Sequence, residues 1–276
     1  WGYGLIQGFK SIIYLINSKK ILREYVFFHD IGKDSLPTNS KTYNIVNWYL
    51  KWKRGVKNVD TIAHSAPNVS DYKYNNLQVS YIDGLPNLEG IQIVRYFFLQ
   101  IYLIFYSLFF IFIKPYSAIL LSELLKLLRV NLANDKELAR DYLFHNSGPY
   151  YRPIWTYAAE DKGSRILFYF YSTNNENFKT EVGYPVQYPR HLMSWSHYLV
   201  WDKFQTDFLK RFGHHKSTIE EVGPIWHSCS GKAIDISLNS IAVFDVTPNN
   251  EDVYVALGSD LLVGLCLCYV AFSSPV

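Results

Sequence analysis

The chain has 276 residues, 49% of them apolar and 17% aromatic, with a formal charge of +3. That composition excludes a disordered chain, and the small charge, with no basic clusters among the aromatics, gives no basis for a nucleic-acid partner. Three cysteines, Cys229, Cys266 and Cys268, have neither metal-ligand spacing nor a disulfide framework, so a reducing, cytoplasmic compartment is expected.

The first residue is Trp1, and no basic segment precedes an apolar run with a cleavage site, so the natural start is expected to lie upstream. Tyr25-Val-Phe-Phe28 reads as a buried strand ending at His29-Asp30, followed by a loop from Gly32 to Ser40. Thr42 to Lys53 reads as a helix: Ser40 or Thr42 can cap it, Lys51, Lys53 and Arg54 suit its negative end, and Gly55 can stop it. Val59 to Ala63, ending at His64, and Leu77 to Ile82 read as two more strands. Strands separated by helices predict an α/β fold with a parallel, doubly wound sheet.

Residues 91–130 are almost continuously apolar. Tyr96 to Ile113 holds 18 residues without a charge, roughly 27 Å of helix, which is the lower edge of a membrane span. Gln92, Tyr96, Gln100 and Ser107 share one helical face, which suits packing on protein while the rest meets lipid. After Pro115 a leucine-rich helix runs to about Val130, with Ser122, Lys126 and Arg129 on its polar side. A hydrophobic hairpin dipping into a membrane fits this pattern, as does a pair of core helices.

Asp141-Tyr-Leu-Phe-His145 is the next predicted strand, with a loop Asn146-Ser-Gly-Pro149 at its carboxyl end. Pro153 suits the first turn of a helix to about Lys162, and Gly163 its stop. Arg165 to Tyr171 is a buried strand leading into the polar loop Ser172-Thr-Asn-Asn175. A second unit follows: strand His197–Trp201, a helix Lys203–Phe212 capped by Asp202, and strand Thr218–Val222 before Gly223-Pro224.

Several ordered blocks in this frame resemble one bacterial family. Phe28-His-Asp-Ile-Gly-Lys-Asp-Ser-Leu-Pro-Thr38 and Tyr43-Asn-Ile-Val-Asn-Trp-Tyr49 look like its opening. Leu143-Phe-His-Asn-Ser-Gly-Pro-Tyr-Tyr-Arg-Pro-Ile-Trp155, Phe168-Tyr-Phe-Tyr-Ser-Thr-Asn174, His197-Tyr-Leu-Val-Trp-Asp202, Val222-Gly-Pro-Ile-Trp226 and Ile241-Ala-Val-Phe-Asp-Val-Thr-Pro248 look like its core. The chain thereby resembles the polysaccharide biosynthesis PFTS-motif proteins of surface-carbohydrate clusters. The resemblance implies O-antigen or capsule assembly and a glycosyltransferase of the two-lobed GT-B type, working at the inner face of the bacterial plasma membrane. Its substrates would be a nucleotide-sugar donor and a glycan or lipid-linked acceptor, with no further cofactor.

On this reading residues 1–232 form the Rossmann-like acceptor lobe, with the hairpin 91–130 inserted. Residues 233–276 would begin a donor lobe that is cut short, because the pattern departs after Pro248 and no Lys, Arg or His occurs from Ala233 onward. This chain alone would then transfer nothing. A non-catalytic scaffold for other glycan enzymes, and an inactive fragment, are the competing readings.

Sugar transfer by direct displacement needs a base for the acceptor hydroxyl and donors for the departing diphosphate. His145, at a strand end before Asn146 and Ser147, suits a base or acceptor contact, or equally a structural histidine. His64, Asp30 and Asp34 are rival bases. Arg152, near a helix start, suits a phosphate or carboxylate contact, or otherwise an ion pair. Ser172, Thr173 and Asn174 would face the same cleft, or only shape the turn. Tyr150, Tyr151 and Trp155 could stack on sugar rings or pack the helix. No Asp-x-Asp pair, phosphate-binding Gly-Lys loop or nucleophile-elbow serine is present, and no metal is expected.

Overall fold

A computed structural model describes residues 24–37, 45–52, 60–66, 68–145, 150–170, 181–184, 188–213 and 216–225, with isolated positions between 2 and 13. The chain divides into two units, Trp1–Cys229 and Ser230–Val276, and the second lies wholly outside the described residues.

The first unit is built on eight strands: β1 (Tyr25–His29), β2 (Thr61–His64), β3 (Tyr72–Tyr74), β4 (Leu77–Tyr81), β5 (Asp141–Phe144), β6 (Arg165–Tyr169), β7 (His197–Val200) and β8 (Thr218–Glu221). They lie in the order β3-β4-β2-β1-β5-β6-β7-β8. Every neighbouring pair is parallel except β3 with β4. From β1 the chain moves outward through β2 to β4, then returns to lay β5 on the other side of β1. The strand order therefore reverses between β1 and β5.

The central strands are apolar on both faces because both faces are covered, the usual state of a parallel sheet. Tyr25, Phe27, Tyr142, Phe144, Ile166 and Phe168 point to one core and Val26, Phe28, Leu143, Leu167 and Tyr169 to the other. Helix α1 (Ile45–Trp52) covers the second core through Ile45, Val46, Trp48 and Tyr49. The first is covered by α2 (Ile91–Phe109), α4 (Leu121–Leu132), α5 (Trp155–Asp161) and α6 (Lys203–Arg211), with a short α3 (Pro115–Ile119) between α2 and α4. Asp202 caps α6 as expected, accepting from the Gln205 amide at 3.0 Å. The proposed caps of α1, Ser40 and Thr42, lie outside the described residues.

Two features depart from the sequence reading. β3 is an added antiparallel strand, turned onto β4 by Asn75 and Asn76 at φ 47° and 68°. Two successive left-handed residues are what a tight primed hairpin turn requires, and Asn tolerates them. Arg129 is not on the polar side of α4 but fully buried. It donates to Asp83 at 2.6 Å, the Pro86 carbonyl at 2.7 Å, and the Leu85 carbonyl and Asn87 at 3.3 Å, fastening the loop before α2 to α4.

A second buried charge sets the amino edge of the sheet. Asp141, at the start of β5, takes two hydrogen bonds from Arg165 at 2.6 and 2.5 Å and one from the Tyr49 hydroxyl. Burial and that carboxylate push the Tyr49 phenol well above its ordinary range.

α2 is an outlier in exposure. Tyr96, Gln100 and Ser107 are its buried residues, matching three of the four polar and aromatic positions read onto one face. The rest of its surface carries exposed Phe97, Phe98, Tyr102, Phe105 and Phe109, continued by Phe112 and Ile113. Among the described residues it is the one helix long and apolar enough to cross a membrane.

Candidate functional site at the strand-order reversal

In an open parallel sheet, ligands bind outside the carboxyl ends of the strands where the order reverses, since the flanking loops there diverge and leave a crevice. Here that point lies between β1 and β5. His29 ends β1 in register with Phe144, so Asp30 and His145, the next residues, flank that point from its two sides.

The His29 imidazole stacks on the Phe144 ring at 4.6 Å. His29 and His145 each bury an Nδ1 atom with no hydrogen-bond partner. Such atoms are costly and call for a functional or structural explanation. Burial pushes both imidazoles down, His145 to about 4, against the opposing pull of Asp30 on each. Both rings are therefore neutral at neutral pH. Asp30 itself sits at φ 52°, a left-handed conformation uncommon outside glycine, and its amide donates to Ser65 Oγ at 3.4 Å, joining the loops after β1 and β2.

The first turn of α4 lies beside that point. Glu123 pairs with Lys126 at 2.7 Å and accepts from the Ile154 amide at 3.2 Å. It also accepts from the Tyr151 hydroxyl, and with burial it raises that phenol well above its usual range. The charges of Lys126 and Glu123 reach His29 with opposite signs. His29, Asp30, Glu123, Lys126, His145 and Tyr151 thus form one cluster of polar groups at the carboxyl edge. Glu123 was not singled out in the sequence and Lys126 was read only onto the polar side of its helix, since charge on a helix face is ordinary. His29 did carry a signal, its place beside Asp30 at the end of an apolar strand.

The other predicted residues fare differently. His64 ends β2 at the same edge but is fully buried; its Nδ1 accepts from the Ala66 amide at 3.2 Å and its ring meets Tyr81 edge-on. It is thus packed within the core at that edge. Arg152 is buried too: it donates to Thr156 at 3.0 Å, the Ser194 carbonyl at 3.0 Å and Glu160 at 2.6 Å, and lies over the Tyr157 ring at 3.9 Å. Its guanidinium is thus engaged in an ion pair with Glu160, the other of the two readings of its place, and anchors α5. Asp34 falls in a single 3-10 turn, Lys33–Ser35, and its side chain lies outside the described residues. Asn146, Ser147, Ser172, Thr173 and Asn174 also lie outside them. Among the described residues no three His, Cys, Asp or Glu side chains are grouped to hold a metal ion.

The model of one protein family, Polysaccharide biosynthesis PFTS motif protein, matches residues 106–262. The match takes in β5 to β8 and the later sequence blocks, and it continues past Pro248. No curated protein and no solved structure matches the chain.

Proposed function

Since the chain belongs to the polysaccharide biosynthesis PFTS motif family, we propose that it is a glycosyltransferase moving a sugar from a nucleotide-sugar to a glycan or lipid-linked acceptor. The described unit is then the acceptor-binding lobe of a GT-B-like enzyme, with the donor held by a second lobe that the described residues do not include. The observation that carries this reading is the gathering of His29, Asp30 and His145 where the strand order reverses, with two buried imidazole nitrogens left unpartnered.

Chemistry follows from those groups. The acceptor hydroxyl loses its proton to the neutral His145 imidazole as its oxygen bonds to the anomeric carbon. The bond from that carbon to the diphosphate breaks, and the electron pair leaves with the nucleotide. Asp30, felt at both rings, stabilises the imidazolium that forms. The test is transfer of labelled sugar by the full-length protein, offered a panel of nucleotide sugars with a membrane-lipid and oligosaccharide extract. Labelled product from one donor is expected; a folded protein that labels nothing with any donor overturns the assignment.

The exposed apolar surface of α2 supports a seat at the cytoplasmic face of the membrane. Contiguous apolar patches beyond a few hundred Å² are rare on soluble monomers. Expressed protein is expected to sediment with membranes and to be released by detergent but not by high salt. Quantitative recovery in the soluble fraction without detergent refutes this.

A further inference from the structure

The apolar hairpin and the polar crevice occupy the same edge of the sheet. α4 begins beside the crevice, where Glu123 meets Ile154 and Tyr151 after the end of β5. It ends at the opposite edge, where the Asn131 and Ala133 carbonyls receive Lys162, from the far end of α5. α2 packs on α4 and runs the other way, for Arg129 holds the loop before it near the far end of α4. α2, 19 residues and about 28 Å long, therefore has its last turns toward the carboxyl edge.

Those turns form an open groove of about 720 Å³, lined by Tyr102, Phe105, Tyr106, Leu108, Phe109 and Phe110. Its lining is aromatic and aliphatic, with two phenol hydroxyls as its polar side-chain groups. Beyond it lie Phe112, 96% exposed, and Ile119, 77% exposed. Ile119 precedes Glu123 by four residues, on the order of 6 Å along a helix. A hydrocarbon chain in the groove would thus leave its head group at the edge of the sheet where Glu123 and His145 lie.

Resting on the transferase reading, we infer that this groove binds the hydrocarbon chain of a lipid-linked acceptor, so that the acceptor, not the donor, is drawn from the bilayer. An occupant of that chemistry is favoured because the groove is apolar, faces the side on which α2 is exposed, and adjoins the titratable cluster. A protein partner or a water-soluble glycan would leave one of these features without a use.

The test uses the full-length protein on phosphatidylethanolamine–phosphatidylglycerol vesicles containing a polyprenyl monophosphate with a photoreactive group in its chain. Crosslinks are expected within residues 102–110, competed by unlabelled polyprenyl phosphate and not by added phospholipid. They should fall at least tenfold in the double variant Phe105→Ser, Phe109→Ser, both positions being solvent-facing so that the fold survives. Crosslinks spread along Val94 and Phe98, or competed equally by phospholipid, report ordinary bilayer contact and overturn the inference. The His145→Ala variant separates this from the proposed chemistry. Labelling there with no transfer by wild type sinks the transferase reading alone; transfer to a soluble glycan without labelling sinks the lipid inference alone.

Discussion

Replacing His145 with alanine in the full-length protein is expected to lower turnover by roughly 10²–10⁴-fold, the usual loss of a general base. The structure adds a control that separates chemistry from packing. In the unfolded chain His145 protonates near its ordinary 6.5, whereas burial holds it at about 4 in the fold. Stability supplied by the neutral ring is complete above pH 6.5 and is lost as pH falls toward 4, by up to roughly 3 kcal/mol. His29, shifted in the same direction, steepens that loss. The alanine variant should therefore show a flatter acid limb in urea denaturation between pH 6.5 and 4, with its fold intact at pH 7.5. Wild-type turnover combined with that flattened limb would make His145 structural and move the base to His29.

Truncating Arg129 to alanine is expected to cost about 3–5 kcal/mol of stability, the range for removing one partner of a buried charged network. The loss is large because four acceptors depend on one guanidinium: the Asp83 carboxylate, the carbonyls of Leu85 and Pro86, and Asn87. Arg129→Lys keeps the charge but offers its donors from one nitrogen where three were used, and should recover less than half of the loss. Urea midpoints measured at constant m-value read the effect. A change below about 1 kcal/mol in the alanine variant would mean that residues 83–87 are held by other contacts.

Much of the sheet was legible because parallel strands covered on both faces are uninterrupted apolar runs. Tyr25–Phe28 and Ile166–Tyr169 announce themselves this way, and Asp202, Gly163 and Gly213 mark the neighbouring helix ends by local chemistry. β3 was missed since three residues, Tyr-Lys-Tyr, are too few to show a period; the signal was the Asn75-Asn76 pair. The site was legible only in part. His145 is given away by its strand, a local property. Arg129 was misread because the acceptors that bury it lie up to 46 residues away in sequence, and a helical wheel sees none of them. Glu123 joins the crevice through Ile154 and Tyr151, a contact that only the return of the chain from β5 creates.

That return also governs how the chain is made. β1 pairs with β2 after a short excursion, but its other neighbour starts at Asp141, so Val26 waits for a partner about 115 residues downstream. During synthesis α2 leaves the ribosome in between, before β5 and β6 exist to complete the face on which it packs. For that interval even its inward side, Tyr96 and Gln100, has an unfinished core beneath it. Nascent chains in this condition are prone to aggregate and call on holding chaperones or an early membrane encounter. Ribosome-bound intermediates from which α2 has emerged but β5 and β6 have not should therefore be the most dependent on such help, and those with β6 outside markedly less so.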